Sequence, residues 1–455
     1  MNPRIGIINR TIFLVALACG LVSPASAQWK EQVLYSFQGG TDGSLPGGGL
    51  ISDKAGNLYG VTVEGGSTAC PPGWCGTIYK LSPPVQKGGA WTEKLLYVFR
   101  GHNQKDGSSP SGGLVADGAG NLYGTTGYGG SGPCVLFGAA TGCGTVFELS
   151  PPKQKGGAWT ETVLYNFQGG NDGDLPIGPL VFDKVGNLYG TTEFGGGQGT
   201  TCDAFYGGNC GTVFELSAPA QQGGQWTETV LHSFAGGTDG AVPNGGLAID
   251  SKRRLYGTTT YGGDISGACD SGLEGIGCGT VFGFAPPLKE GEAWTERLIH
   301  VFKNGADGAS PNGSLLLGPK GGVYGTAGGG SGQSGVVFRL SDFEGSWRET
   351  IFYTFVGGND GSDAGTGLLF GSGDIYGTAL GGGTGKGLVY RLKPAPEGIS
   401  WLPTVLYNFA GAPDGNHPAE PLVFSTFGTL VGTTQWGGTG QACQGGCGVL
   451  FEISP

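Results

Sequence analysis

The cysteines of this sequence are spaced for disulfide chemistry. Ten of the eleven form five close pairs: Cys70/Cys75, Cys134/Cys143, Cys202/Cys210, Cys269/Cys278 and Cys443/Cys447. Each pair lies in one Gly-rich loop, whereas two equivalent loops, GGGSGQSG and GGGTGKG, contain no cysteine. Cysteines that occur or are absent in pairs predict five local disulfides formed in an oxidising compartment. Zinc is the competing interpretation, but all four histidines lie outside these loops, so we expect no metal there.

Aspartate before glycine recurs at one position of a repeated unit. The seven copies are Asp42, Asp106, Asp172, Asp239, Asp307, Asp360 and Asp414. Asp-Gly is ordinary turn sequence, in which the carboxylate caps nearby backbone N–H groups, and we favour that role. Ca²⁺ is the alternative ligand because it prefers carboxylate oxygens, and the pairs Asp172/Asp174 and Asp360/Asp363 are its candidate sites. We otherwise expect no cofactor.

Aromatic residues accompany the cysteine loops. Tyr128, Phe194, Tyr261 and Trp436 directly precede a Gly-Gly pair, Trp74 lies inside the first loop, and Phe205 and Tyr206 lie inside the third. Aromatic rings displayed around a rim can stack on sugars, which makes these residues candidate glycan ligands. The alternative is that each ring packs beneath its own disulfide, since the units without cysteine carry Gly329 and Gly381 at this position.

Candidate catalytic groups are few. His102 and Lys105 lie in the expanded turn RGHNQKDG, and His417 lies in DGNHP at the corresponding turn of the last unit. The apolar runs that we expect to line a central channel, such as Leu114–Asp117, offer poor ground for acid–base chemistry. The sequence presents no Ser-His-Asp or Cys-His arrangement, which favours a non-catalytic protein.

All these residues are carried by a repeat. The segment WTETVLYNF recurs with small changes, and its copies begin at Trp29, Trp91, Trp159, Trp226, Trp294, Trp347 and Trp401. After each copy come an Asp-Gly turn, a short apolar run, a segment like GNLYGTT, a Gly-rich loop and a segment like GTVFELS. Each unit therefore contains four short β-strands bounded by turn residues, without helical periodicity.

Seven four-stranded units predict an all-β, seven-bladed β-propeller with antiparallel strands, in which each blade covers its neighbour. The chain begins with a lone strand at 29–37 and its last unit is one strand short. We therefore expect strand 29–37 to complete the last blade, with an open solenoid as the alternative. One domain is predicted over 28–455, with repeats at 38–99, 100–167, 168–234, 235–302, 303–355, 356–409 and 410–455 plus 29–37.

The N-terminus is typical of a signal peptide over residues 1–27. Arg4 and Arg10 precede an apolar run at 12–22, and a small-residue cleavage site ends at Ala27. We expect a secreted protein, extracellular or periplasmic, without a membrane span. Without the leader, 22 basic residues stand against 35 acidic ones, a net charge of −13. This charge argues against a nucleic-acid partner, and we expect a monomer.

The repeat motifs resemble a known family. LYGTT stands at Leu122–Thr126, Leu188–Thr192 and Leu255–Thr259, with variants at Leu58, Val323, Ile375 and Leu430, and each is followed by a segment like GTVFEL. This signature is similar to that of the GloVer-type tandem-repeat proteins, secreted bacterial proteins of choice-of-anchor architecture. The resemblance implies a propeller-like array.

These observations favour a secreted, non-catalytic binding or scaffold propeller. Its ligand is expected to be a glycan or another cell-surface polymer, bound on the face that carries the cysteine loops. One alternative is a carbohydrate-active enzyme, a hydrolase or lyase, that uses the turns around His102 and His417. The other is a purely structural envelope protein.

Overall fold

The computed structural model describes residues 29–70, 74–86, 89–136, 138–197, 210–221, 223–266, 269, 277–289, 291–318, 321–329, 334–395 and 401–455. The predicted signal peptide, Cys202, Phe205 and Tyr206 lie outside the described residues. No helix within the described ranges is long and apolar enough to cross a membrane. Short 3-10 turns lie at Gly40–Asp42, His102–Gln104, Gly237–Asp239 and Gly358–Asp360.

The described chain consists almost entirely of β-strands and their connections. In chain order the strands are β1 (Lys30–Ser36), β2 (Ser44–Ser52), β3 (Leu58–Glu64), β4 (Thr77–Ser82), β5 (Thr92–Val98), β6 (Gly107–Ser108), β7 (Leu114–Ala116), β8 (Leu122–Thr126), β9 (Tyr128–Gly129), β10 (Val135–Leu136), β11 (Ala139–Ala140), β12 (Thr145–Ser150), β13 (Thr160–Asn166), β14 (Val181–Phe182), β15 (Leu188–Thr192), β16 (Thr212–Ser217), β17 (Thr227–Ser233), β18 (Ala248–Ile249), β19 (Leu255–Thr259), β20 (Thr280–Ala285), β21 (Thr295–Val301), β22 (Leu316–Leu317), β23 (Val323–Ala327), β24 (Val336–Phe343), β25 (Ser346–Thr354), β26 (Ser362–Gly371), β27 (Asp374–Gly381), β28 (Leu388–Pro394), β29 (Trp401–Asn408), β30 (Gly415–Asn416), β31 (Val423–Phe424), β32 (Leu430–Thr434), β33 (Trp436–Gly437) and β34 (Val449–Ser454).

Twenty-eight of these strands form seven antiparallel four-stranded sheets, blades 1 to 7, arranged as a propeller. From the axis outward, blade 1 is β2-β3-β4-β5, blade 2 is β7-β8-β12-β13, blade 3 is β14-β15-β16-β17, and blade 4 is β18-β19-β20-β21. Blade 5 is β22-β23-β24-β25, blade 6 is β26-β27-β28-β29, and blade 7 is β31-β32-β34-β1. The remaining strands pair as the short ribbons β6-β9, β10-β11 and β30-β33. The predicted fold class is confirmed.

The ring is closed by the N-terminal strand. β1 pairs antiparallel with β34, and the register runs from Lys30 opposite Ser454 to Ser36 opposite Val449. The register shifts by one residue between Val33 and Tyr35, and the outer strands of blades 1 to 6 shift at the equivalent position. β1 is therefore the outer strand of blade 7, which removes the free edge of β34.

The phenylalanine that ends each Trp-to-Phe segment explains why the segment recurs. Phe167 is fully buried and its ring meets that of Phe214 on the third strand of the next blade, at 5.2 Å between centroids. An equivalent ring contact occurs at every junction between neighbouring blades, edge-on at six of them and tilted between Phe234 and Phe282, and it includes Phe37 on Tyr79 at the closure, 5.1 Å apart. Each junction also contains one cluster of buried apolar side chains. The core is therefore seven layers between blades.

The LYGTT and GTVF segments are matched to each other within a blade. The hydroxyls of Thr126 and Thr145 lie 2.8 Å apart in the buried interior and share one hydrogen bond, and the Thr126 hydroxyl also donates to the Tyr128 carbonyl. A Cβ on Gly124 would lie 2.7 Å from the ring of Phe147, which explains the glycine in LYGTT. These contacts hold the second and third strands of each blade together, and the Gly-rich loop between them projects from one face of the ring.

Candidate functional site

The cysteine loops and the turns that enter each blade share one face of the ring, here called the stapled face. Backbone hydrogen bonds join them: the Gly66 N–H donates to the Gly40 carbonyl at 2.6 Å, and the Gly263 N–H donates to that of Gly237 at 2.8 Å. The two kinds of loop therefore support each other, and side chains from neighbouring blades meet across this face.

Disulfides fasten the loops of the stapled face. The structure joins Cys70 to Cys75, Cys134 to Cys143, Cys269 to Cys278 and Cys443 to Cys447, with Cα–Cα distances of 5.0–5.2 Å. Cys210 is buried, while its predicted partner Cys202 lies outside the described residues. Each bridge closes a short loop, so the bridges stiffen the rim locally.

The repeated aspartates cap the turns that enter the blades. Each accepts a hydrogen bond from a backbone N–H four or six residues upstream, at 2.5–2.9 Å. In the predicted calcium pairs, both oxygens of Asp172 and of Asp360 already accept protein donors. Asp363 is exposed. Asp174 lies near Glu193 and Tyr128, which are described below.

The rim aromatics occupy two kinds of environment. Trp74 and Tyr128 stack with ring centroids 5.8 Å apart and planes inclined by 26°, so blades 1 and 2 share an aromatic surface. Trp436 meets the ring of His417 edge-on at 4.5 Å. Phe194 and Tyr261 instead pack against the apolar cluster between blades 3 and 4.

The three candidate catalytic residues lie at two separate places. Nδ1 of His102 lies 2.8 Å from the Gly130 carbonyl, and the residue shares a small hollow with Trp74 and Tyr128. His417 lies on the turn that leads into blade 7, and its Nδ1 lies 2.9 Å from the Asn416 side-chain oxygen. Burial lowers the pKa of His417, and the charge of Lys386 acts in the same direction. Lys105 is exposed, with a left-handed φ of 55°.

A groove of about 930 Å³ crosses the stapled face between blades 7 and 1. The ring of Trp436 lines it together with the polar groups of Glu64, Thr41, Ser67 and Gln444. Burial raises the pKa of Glu64, and a hydrogen bond with the Trp74 side chain opposes this shift. An aromatic ring surrounded by hydroxyl, amide and carboxyl groups is chemistry suited to a sugar.

Two carboxyl groups approach Tyr128 from blade 3. Burial raises the pKa of Asp174 to about 6, and burial together with the charge of Asp174 raises that of Glu193 to about 7. The pKa of Tyr128 is raised by burial and by both of these carboxylates. Glu193 was not among the residues predicted from the sequence, although the equivalent position carries Gly127 in blade 2 and Thr260 in blade 4. The sequence signal for this site is a charged residue at a position where the other units have an uncharged one.

Polar groups also line a central cavity of about 190 Å³ near the axis. They belong to Ser111, Asn244, Asn312, Ser314 and Glu420. Burial raises the pKa of Glu420 to about 7, and a hydrogen bond with the Gly48 backbone opposes it.

We expected apolar runs to line the channel, and around this cavity polar residues lie beside apolar ones such as Ile177 and Pro179. Leucines of the apolar runs, such as Leu114, pack between blades, whereas the residues just before them face the axis. The inner segments are crowded there, since a Cβ on Gly48 would lie 2.0 Å from the Gly113 nitrogen. Glycine is therefore required where the inner segments of neighbouring blades meet. The polar residues near these glycines line the cavity.

Seven four-stranded sheets in a closed ring, with loops fastened on one face, define a seven-bladed β-propeller. A family model described as the Gloeobacter/Verrucomicrobia repeat matches residues 21–200, 133–370 and 263–455, and the chain belongs to this family. The resemblance noted in the repeat motifs is thereby confirmed. A search of the curated proteins found no match.

Solved structures similar to this chain include several carbohydrate-active proteins. A polysaccharide lyase of family PL25, an ulvan lyase bound to -[GlcA(1-4)Rha3S]-, is 11% identical over 92% of this chain and 95% of its own, with a TM-score of 0.50. A candidate 6-phosphogluconolactonase of Bacteroides uniformis ATCC 8492 is 14% identical over 83% and 89%, with a TM-score of 0.49. A Trichoderma reesei carbohydrate-active enzyme of family AA12 is 10% identical over 95% and 97%, with a TM-score of 0.43. At these identities the likeness shows the fold alone.

Proposed function

We propose that this protein is a secreted propeller that binds a polysaccharide on its stapled face without cleaving it. The groove between blades 7 and 1 carries the proposal, because it combines the Trp436 ring with neutral and acidic hydrogen-bonding groups. The stacked rings of Trp74 and Tyr128 extend this surface to blade 2. A ligand with repeating units could contact both places at once, which raises its effective affinity.

The charge of the protein indicates the class of glycan. Glu64 lines the groove, and the chain without its leader is strongly acidic. A polyanionic glycan would meet repulsion at this face, whereas a neutral one would not. We therefore assign neutral polysaccharides as the preferred ligand class.

Secretion is part of the proposal. The N-terminal segment has the pattern of a cleavable leader, and the four described disulfides suit an oxidising compartment. The N-terminus of the protein isolated from the culture medium tests this directly, and we expect it near Gln28.

Binding is tested with neutral polysaccharides on a glycan array, followed by calorimetry with the strongest ligand. Trp436→Ala should weaken binding at least tenfold, since it removes the only aromatic ring among the described residues that line the groove. Phe343→Ala is the matched control, because Phe343 is 55% exposed on a hairpin of the opposite face. Equal affinity of both variants and the parent protein would refute the proposed site.

Cleavage is the second candidate function, and the pair Asp174 and Glu193 favours it. Two carboxyl groups whose pKa values are raised to about 6 and about 7 can supply an acid and a base near neutral pH. They lie near Tyr128, on the surface that also carries His102. Release of new chain ends that is abolished by Glu193→Gln would establish an enzyme and refute the non-catalytic proposal.

A further inference from the structure

A tyrosine, an aspartate and a glutamate meet near the rim where two neighbouring blades join. Between blades 2 and 3, the Tyr165 hydroxyl donates to Asp172 at 2.6 Å, and the Glu228 carboxyl lies close enough for the Asp172 charge to raise its pKa. The tyrosine and glutamate come from the outer strands of the two blades, and the aspartate comes from the turn between them. Five junctions have this tyrosine, at Tyr35, Tyr97, Tyr165, Tyr353 and Tyr407.

Histidine replaces the tyrosine at two consecutive junctions. Between blades 3 and 4, Nε2 of His232 lies 3.3 Å from a carboxylate oxygen of Asp239 and 3.7 Å from one of Glu296. These three ligand atoms all lie within 4.8 Å of one another.

The junction between blades 4 and 5 brings the same residue types together, although its three ligand atoms do not all lie within 4.8 Å of one another. There, Nε2 of His300 lies 3.7 Å from Asp307 and 3.5 Å from Glu349. Each cluster thus brings one imidazole nitrogen and two carboxylates together, one ligand from each blade and one from the turn.

The spacing differs between the two clusters, since His232 Nε2 lies within hydrogen-bond reach of Asp239 at 3.3 Å, whereas His300 is farther from both of its carboxylates. Separations of 3.5–3.7 Å exceed the usual hydrogen-bond range. Nitrogen and oxygen ligands bound to Zn²⁺ at about 2.0–2.2 Å lie roughly 3.3–3.6 Å apart in a tetrahedron. In the second cluster, His300 Nε2 and Glu349 Oε1 are buried and have no hydrogen-bond partner. The equivalent glutamate oxygens at tyrosine junctions are also unpaired, so the histidine nitrogen is the atom that distinguishes this cluster. A bound ion would satisfy both atoms.

Neighbouring groups orient the ligands. The Asp239 carboxylate accepts the Ala235 N–H at 2.7 Å, and the His232 ring is held edge-on by Phe234 with centroids 4.8 Å apart. The second cluster has the same support from the Lys303 N–H at 2.8 Å and from Phe302 at 4.7 Å. The tyrosine junctions have the same two contacts, so these supports belong to the repeat and hold the three side chains in place for an ion.

We propose that the His232–Asp239–Glu296 and His300–Asp307–Glu349 clusters are two divalent metal sites. One imidazole and two carboxylates suit a borderline ion such as Zn²⁺ or Co²⁺. Three protein ligands leave a position for water or for a ligand atom. Each ion would link the outer strands of two blades, so the pair of sites would clamp blades 3, 4 and 5 together near the rim.

The test uses the untagged chain without its leader, stripped with a chelator and titrated with Co²⁺. We expect two equivalents to bind, with visible absorption bands from the coordinated ion. His232→Tyr should remove one equivalent and His232→Tyr/His300→Tyr should remove both. These substitutions install the residue that the chain itself uses at five other junctions, so the fold should tolerate them. Tyr165→His is the converse variant and should add a third equivalent.

Two results would overturn the proposal. One is the lack of saturable Co²⁺ binding by the parent protein. The other is a stoichiometry that the double histidine variant leaves unchanged, which would mean that the clusters are only ion pairs. If a tyrosine variant fails to fold, as judged by circular dichroism, Glu296→Gln replaces it and should weaken binding at one site at least tenfold.

Discussion

Replacing Glu228 by glutamine should stabilise the protein at alkaline pH and leave it nearly unchanged in acid. Glu228 lies on the outer strand of blade 3, and its Oε1 is buried without a hydrogen-bond partner. Burial and then the charge of Asp172 raise the pKa of Glu228 to about 8. Asp172 is itself fixed by Tyr165 and by the Gln168 N–H, so it cannot turn away.

The sign follows from proton linkage. A raised pKa means that between about pH 4.5 and pH 8 the folded protein holds a proton that the unfolded chain has released. The free energy of unfolding therefore falls as pH rises through this window, and the full penalty is present above pH 8. Glutamine does not titrate and resembles the protonated acid, so it avoids the penalty.

The magnitude is bounded by the pKa itself. Each tenfold change in proton affinity corresponds to about 1.4 kcal/mol, so the rise from 4.5 to about 8 sets an upper limit of about 5 kcal/mol. Glu228 is only partly buried, and solvent screens its interaction with Asp172. We therefore expect Glu228→Gln to raise the free energy of unfolding by about 1–2 kcal/mol at pH 8.5.

Urea denaturation followed by tryptophan fluorescence at pH 5.0 and pH 8.5 measures this difference. Glu344→Gln is the matched control, because Glu344 is exposed on the hairpin between β24 and β25. A Glu228→Gln variant that is less stable than the parent at pH 8.5, or that gains as much at pH 5.0, would refute the reasoning.

Two further predictions concern the ring itself. Phe167→Ala should lower the free energy of unfolding by about 3–5 kcal/mol in the same urea assay, because the ring is fully buried and its contact with Phe214 is lost. A loss below 1 kcal/mol would show that this junction does not hold blades 2 and 3 together. Removal of residues 29–37 should expose the edge of β34, so size-exclusion chromatography should show multimers; a stable monomer would argue against the closure.

The pairing of strands within a blade could be predicted because every unit repeats the same four strand sequences. WTExxLYxF, LYGTT and GTVFEL are contiguous strings, and the turns between them are short, so their antiparallel order follows from the sequence. The closure of the ring was also predictable, because the last unit has only three strands and the N-terminal strand at 29–37 belongs to no other unit. The register of β1 on β34 agrees with that count.

The candidate site was harder to predict, because its residues come from different blades. Trp436 and Glu64 are far apart in the chain, yet both line the groove between blades 7 and 1. Asp174 and Glu193 perturb Tyr128 of the preceding blade, and only their departure from the repeat marks them in the sequence. The two proposed histidine clusters also combine residues of neighbouring blades, so the carboxylates beside His232 and His300 are not apparent from the repeat unit that contains each histidine.

The sequence by itself therefore determined the number of blades, the strand order, the closing strand and four of the five predicted cysteine pairs, all of which depend on local strings repeated along the chain. The tertiary structure decided which side chains meet across blade junctions and around the axis. These contacts depend on the angle and distance between neighbouring sheets, which are set by the packing of rings such as Phe167 on Phe214. The repeated residues are those that every blade needs for its packing, whereas the candidate binding site is formed by residues that differ between neighbouring blades.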